Sequence, residues 1–123
     1  MNEQDSAETL AKVWIECWNE GNPDLIPLAE NFSHTSPFGH IKGRQLFLEQ
    51  IKPMAERNVT RLKVLRILSS LSEAAVHFEM HTPQGLIQVC DWIVVKDGRI
   101  AEIHSFYDAT ELRQIDTAGK NQK

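Results

Sequence analysis

The dipeptide Asp97-Gly98, which lies between two apolar runs, is the sequence feature that most constrains the fold of this chain. The run before it, 86–95, is long and rich in β-branched residues, and the run after it covers 100–107. An Asp-Gly pair in this setting is a strong short-range signal of a β-hairpin, because the tight turn needs positive φ at its central residues. The sequence therefore predicts two antiparallel strands joined at this dipeptide.

Other runs also have the pattern of strands. One covers 59–69, and another covers 73–82, where apolar and polar residues alternate and the turn signal Pro83-Gln84-Gly85 follows. The second half of the chain is thus predicted to form four consecutive antiparallel strands. In the first half we expect only a short strand at 32–36, with a loop at 41–43.

The remainder of the first half is predicted to form three helices. Ser6 is a suitable N-cap for a first helix that ends near Gly21, a second short helix runs from Pro23 to about Glu30, and a third covers about 44–56. We expect Pro53 to kink the third helix or to end it early. Helices segregated to one face of an antiparallel sheet define an α+β domain.

The length and composition limit the class of protein. A chain of 123 residues is the usual size of one domain, which we place at residues 6–115, with a polar tail at 116–123. No apolar run approaches the ~20 residues of a membrane-spanning helix. The net charge of −4, with both signs interspersed, argues against nucleic acid as a partner. Two cysteines and a polar, acidic start lead us to expect a cytoplasmic protein.

Several strings, in this order, resemble the nuclear-transport-factor-2-like superfamily and, within it, the SnoaL-like proteins. They are Trp18-Asn19-Glu20-Gly21-Asn22, then Ser36-Pro37-Phe38-Gly39 with Gly43-Arg44, then Asp91-Trp92-Ile93-Val94-Val95-Lys96-Asp97-Gly98-Arg99-Ile100 running on to Phe106-Tyr107-Asp108. The resemblance covers about residues 7–115. It implies a cone-shaped α+β fold, in which a curved antiparallel sheet wraps around three N-terminal helices, with a deep apolar pocket and usually a homodimer.

This group includes ketosteroid isomerases, polyketide cyclases and limonene epoxide hydrolases. The resemblance places different residues of this chain at the catalytic positions of each enzyme class. Asp91 falls where the isomerases keep the protonated aspartic acid of their oxyanion hole, but their general base falls on Ser36 and their hydrogen-bonding tyrosine on Trp14. A serine of ordinary pKa cannot take a proton from carbon, so the standard isomerase mechanism is not expected. An aspartate of the epoxide hydrolases falls on Ser105, and no arginine within 73–82 matches theirs. A cyclase needs mainly one acid/base carboxylate, and Asp91 is suited to that role.

Asp91 is the first candidate for a catalytic residue. It lies in an otherwise apolar run, where a carboxyl group should have a raised pKa and be able to transfer protons near neutral pH. The structural alternative is that it pairs with a backbone group or a cation at the sheet edge. His34, the other predicted cavity residue that titrates near pH 7, is its candidate helper; alternatively, it is a core histidine bonded to the backbone.

Strand alternation and the isomerase-like register predict which side chains line the same cavity as Asp91. Trp14 and Trp18, one helical turn apart, would cover it from the first helix or else simply pack in the core. The predicted substrate-binding residues are Trp14, Trp18, Ser36, Phe47, Phe78, Met80, Ile103, Ser105 and Tyr107. We expect a small hydrophobic ligand in this cavity and no cofactor.

The opposite face of the sheet is predicted to be amphiphilic. Its members are Gln88, Cys90, Trp92, Val94, Ile100, Glu102, His104 and Phe106. Two exposed aromatic side chains on this face would form an apolar patch, so we expect a homodimer through it. His77, Glu79 and His81 also share a face, but alternation gives the core side to their neighbours, and we predict no metal site.

Three functions remain open from the sequence. The first is a small enzyme of the isomerase, cyclase or hydratase kind that uses Asp91 for acid/base catalysis without a cofactor. The second is a non-catalytic module that binds a small apolar ligand in the same pocket. The third is a protein-interaction domain resembling nuclear transport factor 2 itself.

Overall fold

Within residues 6–57, 61–83, 85–108 and 110, which the computed structural model describes, the chain forms two α-helices and six strands. The side chains of residues 54–57 lie outside this description, as do the predicted domain end at residue 115 and the tail at 116–123. The elements are α1 (Ala7–Asn19), β1 (Leu28–Ser36), β2 (Gly39–Lys42), α2 (Arg44–Arg57), β3 (Arg61–Ser69), β4 (Glu73–Thr82), β5 (Gly85–Lys96) and β6 (Arg99–Phe106).

The first helix, α1, begins and ends at signals visible in the sequence. The Ser6 hydroxyl accepts a hydrogen bond from the Thr9 backbone N–H at 3.2 Å, which satisfies one free donor of the first turn. At the other end Gly21 has φ +72°, and the Asn22 N–H donates back to the Cys17 carbonyl at 2.9 Å. This is the bonding of a glycine-terminated helix, and it turns the chain sharply after α1.

The predicted second helix, from Pro23 to about Glu30, is wrong, because β1 already begins at Leu28. Only Pro23–Leu25 forms a single 3₁₀ turn. Ile26 is extended, with φ −67° and ψ 129°, as a residue that precedes a proline usually is. The described part of the chain therefore has two α-helices where the sequence predicts three.

The six strands form one curved sheet in the order β2-β1-β6-β5-β4-β3. Strands β3 to β6 are consecutive and antiparallel, as predicted, and the turn between β5 and β6 has positive φ at Asp97 (54°) and Gly98 (74°). The expectation of a fully antiparallel sheet is wrong at one place, because β1 pairs in parallel with β6. The predicted loop at 41–43 is also wrong in part, since Gly39–Lys42 is strand β2, paired with β1.

A bulge in β6 overturns one predicted side-chain direction. Val94 pairs with Glu102 and Val95 with Ile100, so Ala101 is an extra residue on β6. An inserted residue reverses the alternation of the side chains beyond it. Ile100, which we placed on the outer face, is therefore fully buried in the core.

The two helices cover one face of the sheet. Helix α1 contacts β3, β4 and β5, whereas α2 contacts β1 and β2. Helix α2 continues past Pro53 to Arg57, so the predicted early end is wrong. No helix in the described ranges is long and apolar enough to cross a membrane.

Candidate active site

Asp91 lies in the middle of β5 and points toward the helices. It is 2% exposed, and the neighbours on its own face of β5, Val89 and Ile93, are buried with it. Across the sheet it is paired with Val76 of β4 on one side and with Ser105 of β6 on the other. The alternation seen in the sequence thus places one carboxyl group within an apolar core, and not at the sheet edge.

The carboxyl group of Asp91 has one oxygen bonded and one oxygen without a partner. The Trp14 indole N–H donates a hydrogen bond of 2.9 Å to Asp91 Oδ2, from α1 to the centre of the sheet. Oδ1 is buried and forms no hydrogen bond of acceptable length and angle among the described residues, although the Ser105 hydroxyl lies close enough to the carboxyl group to stabilise its charge. An oxygen of this kind is a candidate contact for a substrate, because buried polar atoms are normally hydrogen-bonded.

The pKa of Asp91 is raised from 3.8 to about 6, in the direction that the sequence predicts. Burial is the main cause, because it disfavours the charged carboxylate; the nearby Ser105 hydroxyl and the Trp14 N–H stabilise that charge and limit the rise. About a tenth of the group is then protonated at pH 7, by the ordinary titration relation. Both protonation states of Asp91 are accessible near neutrality.

His34 of β1 is hydrogen-bonded to Ser105, and the described contacts include no hydrogen bond between His34 and Asp91. Its Nε2 lies 2.9 Å from the Ser105 Oγ, and Ser105 is the direct cross-strand neighbour of Asp91. Burial lowers the pKa of His34 from 6.5 to about 4, with smaller contributions from His104 and His40. His34 is therefore a neutral imidazole at pH 7, and its partner is a side-chain hydroxyl and not the backbone.

Aromatic rings surround the acid on the helix side. Phe47 of α2 stacks on Trp14 with ring centroids 6.0 Å apart and lies 5.1 Å from the His34 ring. Trp18 meets Trp14 edge-on at 5.9 Å, and its buried Nε1 has no hydrogen-bond partner among the described residues. Trp14 and Trp18 thus differ in a way that their spacing does not reveal, because only Trp14 uses its N–H on Asp91.

The remaining predicted substrate-binding residues lie on the same face of the sheet. Phe78 and Ile103 are buried, and Met80 is partly buried against the core. Ser36 and Tyr107 lie beside each other: burial raises the pKa of the Tyr107 hydroxyl, and the Ser36 hydroxyl opposes that rise. Phe38, whose ring lies 6.1 Å from that of Tyr107, was missed, because its turn sequence indicates only the end of a strand.

The outer face of the sheet carries the predicted aromatic pair. Trp92 is 45% exposed and Phe106 51% exposed, and the His104 ring stacks on Phe106 with centroids 4.4 Å apart. His77 Nε2 lies 2.8 Å from Gln88 Oε1. In the part of the chain that the structure describes, no three His, Cys, Asp or Glu side chains come together as a metal site.

Comparisons with known proteins agree with this architecture. Residues 11–103 match the model of the SnoaL-like domain. A search of the curated proteins finds no match to this sequence. Among solved structures, a nuclear-transport-factor-2-like protein of unknown function from Cytophaga hutchinsonii superposes with a TM-score of 0.77 at 18% identity, covering 91% of this chain and 98% of that one.

Two further solved structures that are similar to this chain are described as enzymes. A ketosteroid isomerase-like protein from Kribbella flavida superposes with a TM-score of 0.73 at 21% identity. The match covers 85% of this chain and 81% of that one. An epoxide hydrolase from M. tuberculosis, of the limonene-epoxide-hydrolase-like kind, has a TM-score of 0.72 and 17% identity, with coverages of 92% and 90%. At these identities the likeness shows the nuclear-transport-factor-2-like fold, and a shared fold does not fix a reaction.

Proposed function

We propose that this chain, which belongs to the SnoaL-like family, is an acid/base enzyme of the isomerase, cyclase or hydratase kind that acts on a small hydrophobic substrate. The observation that carries the proposal is Asp91, a carboxyl group with one bonded oxygen, one unpartnered oxygen and a pKa of about 6. A group with these properties can take up and release a proton near neutral pH, as general acid/base catalysis requires.

The hydrogen bond from Trp14 assigns different tasks to the two oxygens of Asp91. An indole N–H only donates, so Oδ2 is held as an acceptor. The exchangeable proton of the carboxyl group then resides on Oδ1. In the ionised form Oδ1 takes a proton from the substrate, and in the neutral form it returns that proton at another position of the same molecule.

Ser105 and His34 extend the polar path away from Asp91. Ser105 both accepts and donates hydrogen bonds, and its hydroxyl donates to His34 Nε2 or accepts from it according to the His34 tautomer. Since His34 is neutral at pH 7, we assign it the role of a hydrogen-bonding helper and not that of a charged acid. The serine at position 36 supports a mechanism in which Asp91, and not a second carboxylate, transfers the proton.

Proton exchange at an apolar ketone tests this proposal directly. In D₂O, 2-tetralone exchanges its α-protons for deuterium through its enol, and NMR follows the exchange. We expect the wild type to accelerate the exchange. The acceleration by the Asp91→Asn variant should be at least about 100-fold smaller than that by the wild type. Lys12→Ala, on the exposed side of α1, is the matched control and should behave as the wild type.

Two outcomes would reject catalysis by Asp91. One is full acceleration by Asp91→Asn; the other is no acceleration by the wild type although 2-tetralone binds, which would favour the non-catalytic ligand-binding function. A protein-interaction domain with no ligand site is favoured if 2-tetralone does not bind at all.

The outer face and the cysteines support two further parts of the proposal. A second copy of the chain is the proposed cover of Trp92 and Phe106, whose exposure leaves apolar area in water.

Cys17 and Cys90 are free thiols, which supports a reducing compartment such as the cytoplasm.

A further inference from the structure

Asp91 has almost no direct access to water, although a group that transfers protons must be able to exchange them with the solvent. It is 2% exposed and lies between the buried side chains of Val89 and Ile93 on its own strand. On the helix side the Trp14 N–H occupies Oδ2 at 2.9 Å. A substrate at Oδ1 would cover the remaining oxygen, so exchange with the solvent while substrate is bound requires another route.

Two polar side chains lead from Asp91 toward the surface. Ser105 is the direct cross-strand partner of Asp91, both side chains are buried, and the Ser105 hydroxyl is close enough to stabilise the carboxylate. Side chains paired in this way have Cβ atoms about 4.5–5.5 Å apart. On its other side the Ser105 Oγ lies 2.9 Å from His34 Nε2, across the parallel β1–β6 pair. One hydroxyl group is therefore in reach of both Asp91 and His34.

The second ring nitrogen of His34, Nδ1, is the outer end of this chain. His34 is only partly buried, and its Nδ1 forms no hydrogen bond to a described residue. Among the buried side-chain nitrogen and oxygen atoms of the described residues, only Asp91 Oδ1 and Trp18 Nε1 lack a partner. His34 Nδ1 is therefore not a buried atom and is accessible to water.

Each protonation state of Asp91 selects one direction for the Ser105 hydroxyl. A carboxylate only accepts, so ionised Asp91 accepts from the Ser105 O–H, and the Ser105 Oγ accepts from His34 Nε2–H. Neutral Asp91 donates to the Ser105 Oγ, whose O–H then donates to an unprotonated His34 Nε2. A neutral imidazole has a single N–H, so in the second state this proton is on Nδ1. The two states of Asp91 thus require opposite tautomers of His34.

We propose that Ser105 and His34 form a proton relay between Asp91 and water, in which the His34 tautomer changes with the protonation of Asp91. When Asp91 gains a proton, a proton from the solvent binds at His34 Nδ1, the Nε2 proton passes to the Ser105 Oγ, and the Ser105 hydroxyl proton passes to the carboxylate. One proton enters and one arrives, and the loss of a proton follows the reverse order. The inference rests on the proposed function, because both residues act on a substrate only through Asp91.

His34 is neutral over the range in which Asp91 titrates, as this relay requires. Burial lowers the pKa of His34 to about 4, whereas the pKa of Asp91 is about 6. The other titratable groups that interact electrostatically with this pair are His40, His104, Cys90 and Tyr107. Burial raises the pKa of the thiol and of the phenol above their ordinary values of 9.0 and 10.0, so both stay neutral below pH 8.

Nitrogen NMR of the histidine rings tests the relay without a substrate. In ¹⁵N-labelled wild type we expect about nine-tenths of His34 as the Nε2–H tautomer at pH 7.5 and about nine-tenths as the Nδ1–H tautomer at pH 5. The midpoint should equal that of the Asp91 carboxyl group in a ¹³C titration, and His34→Gln assigns the ring signals by their loss. One unchanged tautomer from pH 5 to 7.5, while Asp91 titrates, would overturn the inference.

Two variants separate the relay from electrostatic effects through space. Ser105→Ala removes the hydroxyl and leaves Asp91 able to titrate, so the His34 tautomer should no longer change with pH. A tautomer that still follows Asp91 in this variant would contradict the relay. Asp91→Asn retains His40 and His104 and should keep one His34 tautomer over the whole range. A change with pH in Asp91→Asn would assign the effect to those histidines and reject the relay.

Failure of the relay and failure of the proposed function give different results. The tautomer needs no turnover, so a tautomer coupled to Asp91 without proton exchange at 2-tetralone would reject the enzyme and retain the relay. Conversely, exchange that depends on Asp91, with a His34 tautomer that does not change, would retain the enzyme and reject the relay.

Discussion

The Trp14 indole N–H is bonded to the Asp91 carboxylate at 2.9 Å, and this bond joins residues 77 positions apart in the sequence. It connects α1 to the middle of β5 inside the core. Hydrogen bonds to a charged group contribute more to stability than those between neutral groups. The same contact therefore affects both the stability of the fold and the protonation of the proposed catalytic acid.

Replacing Trp14 by phenylalanine should raise the pKa of Asp91 above about 6, because the donor that stabilises its charged form is removed. The folded state should also lose about 2–4 kcal/mol at pH 7, from the lost bond and the smaller ring. Carboxyl ¹³C NMR titration and urea unfolding measure the two effects. Trp18→Phe, the same change one turn later, is the control and should move the Asp91 pKa less; equal shifts in both variants would contradict the role of the Trp14 N–H.

Ionisation of Asp91 should destabilise the fold as the pH rises from about 4 to 6. The folded pKa of about 6 lies above the unfolded value of 3.8, so the folded state binds more protons in this window. The free energy of unfolding falls by about 3 kcal/mol in total once the pH exceeds 6. In Asp91→Asn this loss is absent, and urea unfolding at several pH values should show stability rising with pH through the window. A fall in its stability over the same range would contradict the assignment.

His34 should have the opposite effect in almost the same pH range. Its folded pKa of about 4 lies below the ordinary 6.5, so protonation favours the unfolded state as the pH falls from 6.5 to 4. This change also amounts to about 3 kcal/mol, and it nearly cancels that of Asp91 in the wild type. His34→Gln, which keeps a side chain able to bond Ser105, should therefore lose stability as the pH rises from 4 to 6. A pH profile for His34→Gln as flat as that expected of the wild type would show that His34 is not titrating in this way.

The parts of the fold that depend on neighbours in the sequence could be predicted from it. The Asp97-Gly98 turn determines the β5–β6 pairing, and alternation along β5 correctly directs Asp91 into the core. The parallel pairing of Leu28 with Ile100 could not be predicted, because it joins distant segments and the local pattern near Pro23 favours a helix. The burial of Ile100 was missed for a related reason, since nothing in the sequence marks Ala101 as a bulge.

The composition of the candidate site was more predictable than its contacts. The resemblance and the alternation both lead to Asp91, and apolar surroundings predict its raised pKa. That Trp14 donates to Asp91, while Trp18 does not, depends on the rotation of α1 against the sheet. The only signal was indirect: the tyrosine that forms hydrogen bonds in the isomerases falls on Trp14. Likewise, the bond from His34 to Ser105 requires the parallel β1–β6 register.

Asn19 at the end of α1 should be important for stability, because its side chain bonds to both backbone groups of Leu62. The Nδ2 donates to the Leu62 carbonyl at 2.9 Å, and the Oδ1 accepts from the Leu62 N–H at 2.7 Å. Asn19→Asp turns the donor into a second acceptor facing the carbonyl, so we expect a loss of about 1–3 kcal/mol in urea unfolding. Lys12→Ala, which breaks an exposed ion pair with Glu8 on the same helix, should cost less than about 1 kcal/mol. Similar losses in the two variants would contradict this role of Asn19.

The aromatic patch on the outer face should hold two copies of the chain together. Trp92 and Phe106 lie on neighbouring strands, both about half exposed, and the His104 ring stacked on Phe106 extends the apolar surface. Sedimentation equilibrium of the wild type should give twice the 14.0 kDa mass of one chain. The variant Phe106→Arg should shift the protein toward monomer, because a desolvated guanidinium without a partner is unfavourable at an interface. Leu71→Arg, at a side chain 92% exposed between β3 and β4, is the matched control and should remain dimeric. A monomeric wild type at all concentrations, or a dimer unaffected by Phe106→Arg, would contradict this interface.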